Sequence, residues 1–296
     1  MDTIKNFVYA GLGLATMTTD KIKVTIDDLV EKGKISDTEG KKIIEDFLNT
    51  TEEKRTDFEN KLKKTNKNYL CVYNMSHRIC ENIKQIEQEV ENVHLVVVSK
   101  YRSLPELEEV YACGHRNFGE NRVQETLDKY EKLPKDINWH KIGHLQTNKV
   151  KTIAPFVTLI HAVDSIKLLK EINKQAVINN RIIDCLLQFH IAEEDTKFGL
   201  NLQEAQDMLM GFDYKELKNI RLTGIMGMAT FTEDKIQVAR EFCQLKTYFE
   251  LLKSDYFKEH SYFKEVSMGM SGDYLKAVMY GSTFVRIGSK IFGQRY

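Results

Sequence analysis

A lysine stands directly behind an apolar run: Val96, Val97, Val98 and Ser99 lead into Lys100. At the end of a buried strand an ammonium is partly desolvated, which pulls its pKa below the usual ~10.4 and frees an amine to attack a carbonyl. An aldehyde cofactor needs such an amine. Taken alone, a lysine that snorkels or pairs with a nearby glutamate is the simpler account. A second cluster shifts the balance. Ser267 and Ser271 flank a glycine-containing turn that opens a helix, and Gly288-Ser289 forms another turn close to the C-terminus. Hydroxyls and unpaired N–H groups in such turns suit a phosphate, although ordinary helix capping by Ser271 and Asp273 uses the same residues. Asp273 is expected to point away from any phosphate. Arg286 could reach a ring nitrogen or pair with a carboxylate.

These residues need elements to bring them together. From residue 76 onward, strand-like runs alternate with helical stretches. The eight strand candidates are His94–Ser99, Asn117–Gly119, Trp139–Gly143, Leu159–Val163, Ile183–Ile191, Leu222–Met228, Val266–Met270 and Thr283–Ile287. Eight strands with helical crossovers predict an α/β fold, a (β/α)8 TIM barrel whose ligand site lies at the C-terminal ends of the strands. The polar residues named above all follow strands, so they converge on that rim. An open doubly wound sheet is the rival, but no G-x-G-x-x-G follows the first strand.

Residues 1–65 differ in character. Ile22, Ile26, Leu29 and Val30 recur at helical spacing and Gly33 is placed to end that helix. Ser36-Asp-Thr-Glu39 reads as a capping box opening a second helix, whose seam runs Ile44, Leu48, Thr51, Arg55, Phe58, Leu62. An α-helical hairpin over 1–65, a linker over 66–75 and a barrel over 76–296 follow. Phe7–Met17 has the length of a signal-peptide core but a poor cleavage site, and reads as a packing helix.

The chain has 296 residues, 42% hydrophobic and 29% charged, with 43 basic and 43 acidic side chains. No basic excess exists to displace counterions from nucleic acid, and no apolar run reaches a membrane span of ~20 residues. Lys61, Lys63, Lys64 and Lys67 read as a solvated helix end. The five cysteines are scattered and odd in number, which favours free thiols in a cytoplasmic protein. His140 and His144 fall on strand and turn with no third ligand nearby, so no metal is expected. Cys113 and His115 belong to a helix end away from the rim. Glu193-Glu-Asp195 reads as a solvated loop, and Thr196–Gly199 as its continuation over the ligand.

Val97-Val-Ser-Lys100, Phe118-Gly-Glu-Asn121, the run from Trp139 to Lys149 (W-H-x-I-G-x-L-Q-x-N-K), Ser267-Met-Gly-Met-Ser271 and Val285-Arg-Ile-Gly288 together resemble the YggS/PROSC family of pyridoxal-phosphate homeostasis proteins over about residues 76–296. The resemblance implies a barrel like the N-terminal domain of alanine racemase, the fold of type III pyridoxal-phosphate proteins. It also implies pyridoxal 5'-phosphate (PLP) as cofactor, held as a Schiff base on Lys100. Asn121 then supports the ring, Ser271, Gly288 and Ser289 contact the phosphate, Arg286 faces the pyridine nitrogen, and Ser267 is an additional contact. An arginine there keeps that nitrogen unprotonated and the cofactor a poor electron sink. His140, His144 and Gln146 line the rim without assigned roles. Lys141 departs from the family, which more often has Phe or Met there.

The expected function is PLP binding in vitamin B6 homeostasis, without catalysis, with PLP-dependent apoenzymes as recipients. The alternative is a racemase-like PLP enzyme, but racemisation needs a second base that alanine racemase takes from a C-terminal β-domain, and this chain stops at Tyr296. Residues 1–65 weakly resemble phasin-type helices and are expected to meet a partner that the sequence does not identify.

Overall fold

The computed structural model describes residues 27, 30, 31, 33, 36–48, 67–194 and 198–293. It divides into two compact units, Met1–Met75 and Ser76–Tyr296.

In the first unit, helix α1 spans Asp37–Leu48. The expected capping box opens it: the backbone N–H and the hydroxyl of Ser36 donate to Glu39 at 2.9 and 2.7 Å, and the Glu39 N–H donates back at 3.3 Å. Gly33 has φ +64° and donates to the Val30 carbonyl, the left-handed conformation that ends a helix. Residues 1–26 and 49–66, with Phe7–Met17 and most of the expected hairpin seam, lie outside the described residues.

The second unit is a closed barrel of eight parallel strands in sequence order. They are β1 His94–Val98, β2 Asn117–Glu120, β3 Asn138–Lys141, β4 Val157–Val163, β5 Ile183–Phe189, β6 Ile220–Gly227, β7 Glu265–Ser267 and β8 Phe284–Ile287. Each coincides with an expected strand to within a few residues. Helix α2 (Lys67–Glu89) precedes the barrel and already covers most of the stretch read as a linker. The crossovers carry α3 (Leu104–Ala112), α4 (Val123–Lys132), α5 (Val150–Ile153), α6 (Ile166–Ile178), α7 (Leu202–Met210), α8 (Phe212–Lys215), α9 (Lys235–Asp255) and α10 (Tyr274–Met279). The last element is α11 (Ser289–Phe292).

Strand alternation divides the core in two. Outward-facing residues such as Leu95, Val97, Phe118, Trp139 and Val285 meet the helices, and α2 joins them through Ile79, Ile83 and Ile86, spaced for one helical face. Inward-facing Val96, Leu159, Leu186, Met226 and Phe284 fill the barrel.

Two expectations are corrected here, and Lys141 is accounted for. Cys80 on α2 and Cys113 at the end of α3 form a disulfide with Cα atoms 5.5 Å apart, so these two thiols are not free; Cys185 and Cys243 are. A separation of 33 residues gave no local pairing signal. His140 does not line the rim. It faces the barrel interior and is only 3% exposed. Lys141, read as a local packing question, is buried on the outward side, where its ammonium donates to the carbonyls of Gly143 and His144. Burial pushes its pKa down to about 8. Among the described residues no helix is long and apolar enough to cross a membrane, and no metal-binding cluster occurs.

Candidate functional site

Lys100 follows the last residues of β1, and both of its neighbours are clamped. The Ser99 carbonyl accepts from Lys129 Nζ at 2.8 Å, while the Ser99 hydroxyl donates to Glu120 Oε1 at 2.6 Å. On the other side Tyr101 takes a left-handed φ of +61°, and its N–H donates to Glu125. Lys129 also meets Glu120 and Glu125, each at 2.7 Å. A buried ion network thus fixes the chain on either side of Lys100, which is itself half-buried. Burial pushes the Glu120 carboxyl up, opposed by Lys129.

The register places the other candidates around that lysine. Strand β8 pairs with β1, with Val97 opposite Ile287, and a Cβ on Gly288 would stand 3.1 Å from the Val98 carbonyl. A glycine is therefore what lets the β8 turn approach the end of β1. The Gly288 N–H donates to the Ser271 hydroxyl at 3.3 Å, which brings the β7 and β8 turns together, and Ser289 opens α11 beside them. Gly269, with φ +93°, provides the bend between Ser267 and Ser271. The Asp273 carboxylate is engaged by the Met270 N–H. On the other side of β1, Asn121 directly follows the end of strand β2. A Cβ on Gly143 would stand 2.9 Å from the Asn121 side chain.

Beneath the rim, Arg286 is 4% exposed and Ser267 fully buried. The guanidinium donates to Ser267 Oγ at 2.6 Å and to the Gly227 carbonyl at 3.1 Å. Burial pushes its pKa down to about 10, so it stays a cation at neutral pH. Among the described residues no carboxylate forms an ion pair with it. Asp273 opposes that shift through its charge. A buried guanidinium with N–H groups to spare, below a hydroxyl and N–H cradle, suits a ligand that accepts hydrogen bonds. Lys100, Asn121, Ser271, Gly288 and Ser289 thus gather at the rim, while Ser267 and Arg286 form its floor.

A family model described as the N-terminal domain of alanine racemase matches residues 76–296. A pyridoxal phosphate homeostasis protein of Aquifex aeolicus is 39% identical over 191 residues, covering 64% of this chain and 81% of its own. One from Schizosaccharomyces pombe is 35% identical over 216 residues, covering 71% and 89%. This chain belongs to the pyridoxal phosphate homeostasis protein family. Among solved structures, PipY of Synechococcus elongatus with PLP bound is 30% identical, with a TM-score of 0.67 over 73% of this chain and 100% of that one. Alanine racemase of Streptomyces coelicolor, at 14% identity and TM-score 0.61, shares the fold.

For this family member the sequence reading missed His161 and Asp164. His161 lies inside the barrel on β4 and bonds both His140 and Ser267, at 3.0 and 2.9 Å. A histidine inside the apolar run Leu159–Val163 was the available signal. Asp164 pairs with His144 at 3.1 Å, and the Phe198 ring stacks on that imidazole at 4.4 Å. His144 and Gln146 are exposed at the strand ends, as the reading expected. Glu193 pairs with Arg240 on the surface, and Glu194 accepts from the Phe231 N–H. Asp195, Thr196 and Lys197 lie outside the described residues.

Proposed function

We propose that the barrel binds PLP as a Schiff base on Lys100 and serves vitamin B6 homeostasis in the cytoplasm as a carrier rather than a catalyst. The observation that carries this reading is the convergence of a lysine at the end of β1, hydroxyl and N–H groups of the β7 and β8 turns held together by the Gly288–Ser271 bond, and a buried arginine below them. Membership of the family and the PLP-bound PipY structure support it.

When bound, PLP supplies an aldehyde and an electron-accepting ring. Each residue has a distinct task. Lys100 offers its amine from a segment that the Lys129 network holds still. Ser271, Gly288 and Ser289 receive the phosphate, and Asn121 flanks the ring. Arg286 presents a permanent cation to the ring nitrogen, which keeps that nitrogen unprotonated and weakens the ring as an electron sink. A site tuned this way suits holding and release more than carbanion chemistry. The recipients are PLP-dependent apoenzymes, and the Met1–Met75 unit is the surface that meets a partner.

The test is an absorbance spectrum of the cofactor-loaded protein with and without borohydride, beside Lys100→Ala. A visible band that reduction traps on the wild type, and that the variant lacks, supports the reading. A loaded wild type without such a band would sink it. A carrier releases PLP to an apoenzyme and turns over L-amino acids no faster than free PLP; faster production of D-amino acids would overturn the non-catalytic assignment.

A further inference from the structure

Barrel interiors are ordinarily filled by layers of branched apolar side chains. This one contains a continuous polar chain: Arg286 to Ser267 at 2.6 Å, Ser267 to His161 at 2.9 Å, and His161 to His140 at 3.0 Å. All four side chains are buried, and His140 Nε2 has no partner among the described residues.

The direction of the hydrogen bonds can be worked out. Arginine has donors only, so Arg286 donates to the Ser267 oxygen. Ser267 has one proton to give, and each neutral imidazole has one N–H and one lone pair. Burial holds both imidazoles well below the ordinary 6.5, so both are neutral at physiological pH. If Ser267 donates to His161 Nδ1, then His161 donates from Nε2 to His140 Nδ1, and only the His140 Nε2–H is left over. In the reverse order two groups are left over, the Ser267 hydroxyl proton and the His140 Nε2 lone pair. Buried polar groups favour the arrangement with fewer orphans.

We propose that His161, backed by His140, is the positioning residue for Arg286: it takes the Ser267 proton, so the hydroxyl oxygen faces the guanidinium as an acceptor and sets where its remaining N–H groups point. This rests on the reading of Arg286 as the partner of the ring nitrogen, and His161 acts on the ligand only through Ser267 and Arg286. Gly227 holds the other end of the guanidinium, so losing His161 swings the fork rather than releasing it.

Two measurements test this. The first is ¹⁵N NMR of histidine-labelled wild-type protein, which depends on no variant. Two neutral rings protonated on Nε2 are expected; a proton on His161 Nδ1 overturns the inference. The second compares the affinity of PLP with that of a carba analogue carrying C–H in place of the ring nitrogen. The wild type should prefer PLP by about tenfold, the scale of one hydrogen bond to a charged group. His161→Phe should reduce that preference to under about threefold while the analogue binds as before, and His161→Gln, which keeps an acceptor, should restore part of it. Equal losses for both ligands in His161→Phe, or an undiminished preference, overturn the positioning role. Equal affinity of the wild type for both ligands overturns the placement of Arg286 at the ring nitrogen and the inference with it.

Discussion

Lys129 and Glu120 form a buried ion pair at 2.7 Å, with 7% and 0% of their side chains exposed. Their partners decide what the pair is for. The same ammonium reaches the Ser99 carbonyl and Glu125, so one cation bridges the residue before Lys100 and the carboxylate that accepts from the residue after it. The second oxygen of Glu120 has no partner among the described residues, so the charge depends on Lys129.

Replacing Lys129 by Met should therefore cost about 3–5 kcal/mol, because it strands a buried carboxylate rather than merely removing a contact. Adding Glu120→Gln should recover part of that loss, since it removes the stranded charge. Urea midpoints of the two variants check this. A single-variant cost below about 1 kcal/mol would mean that water already reaches the site.

The histidine pair gives a pH dependence. In the unfolded chain each imidazole takes a proton near 6.5, whereas in the barrel burial lowers His140 to about 3 and His161 well below 6.5. Below 6.5 the unfolded state thus binds more protons, so stability falls as the pH falls and is fully present above 6.5. Each ring contributes a slope of about 1.4 kcal/mol per pH unit in that window. Denaturant midpoints between about pH 7 and pH 4 should be shallower in His140→Phe by one ring's share. An unchanged slope would show that the rings are not buried neutral.

Cys80 and Cys113 enclose a loop from α2 to the end of α3, with a sequence separation of 33. Closing a loop of that length stabilises by about 3–4 kcal/mol, mainly by restricting the unfolded chain. Dithiothreitol should lower the stability of the wild type by that amount and leave Cys113→Ser unaffected. Identical unfolding with and without reductant would mean that the bond does not form in solution.

The barrel was legible because its strands are short apolar runs separated by amphipathic stretches, and because polar residues sit where strands end. That pattern placed Lys100, Asn121, Ser271 and Gly288 on one rim. It could not say which residues of a doubly buried strand face inward. Trp139, His140 and Lys141 are all buried, and only the closed sheet shows that His140 joins the interior while its neighbours face the helices. The His161 link to Ser267 joins residues 106 apart on strands that the barrel alone brings together. Cys80 and Cys113 were opaque for the same reason.

Gly143 separates the role of Asn121 from the stability of the fold. A Cβ at Gly143 would stand 2.9 Å from Asn121 Cγ, 3.0 Å from Oδ1 and 3.3 Å from Cβ, so its nearest neighbours all belong to that side chain. Asn121 is half-buried at the rim and can turn aside, so Gly143→Ala should cost no more than about 1 kcal/mol of stability. The displaced amide would no longer flank the ring, and PLP affinity should fall about tenfold, the worth of roughly one hydrogen bond. Asn121→Ala should produce a similar loss, and the double variant little more than either alone, because both remove the same interaction. Equilibrium dialysis of the three proteins checks this. Additive losses would place Gly143 on a different path to the cofactor, and unchanged affinity in Asn121→Ala would remove that residue from the site.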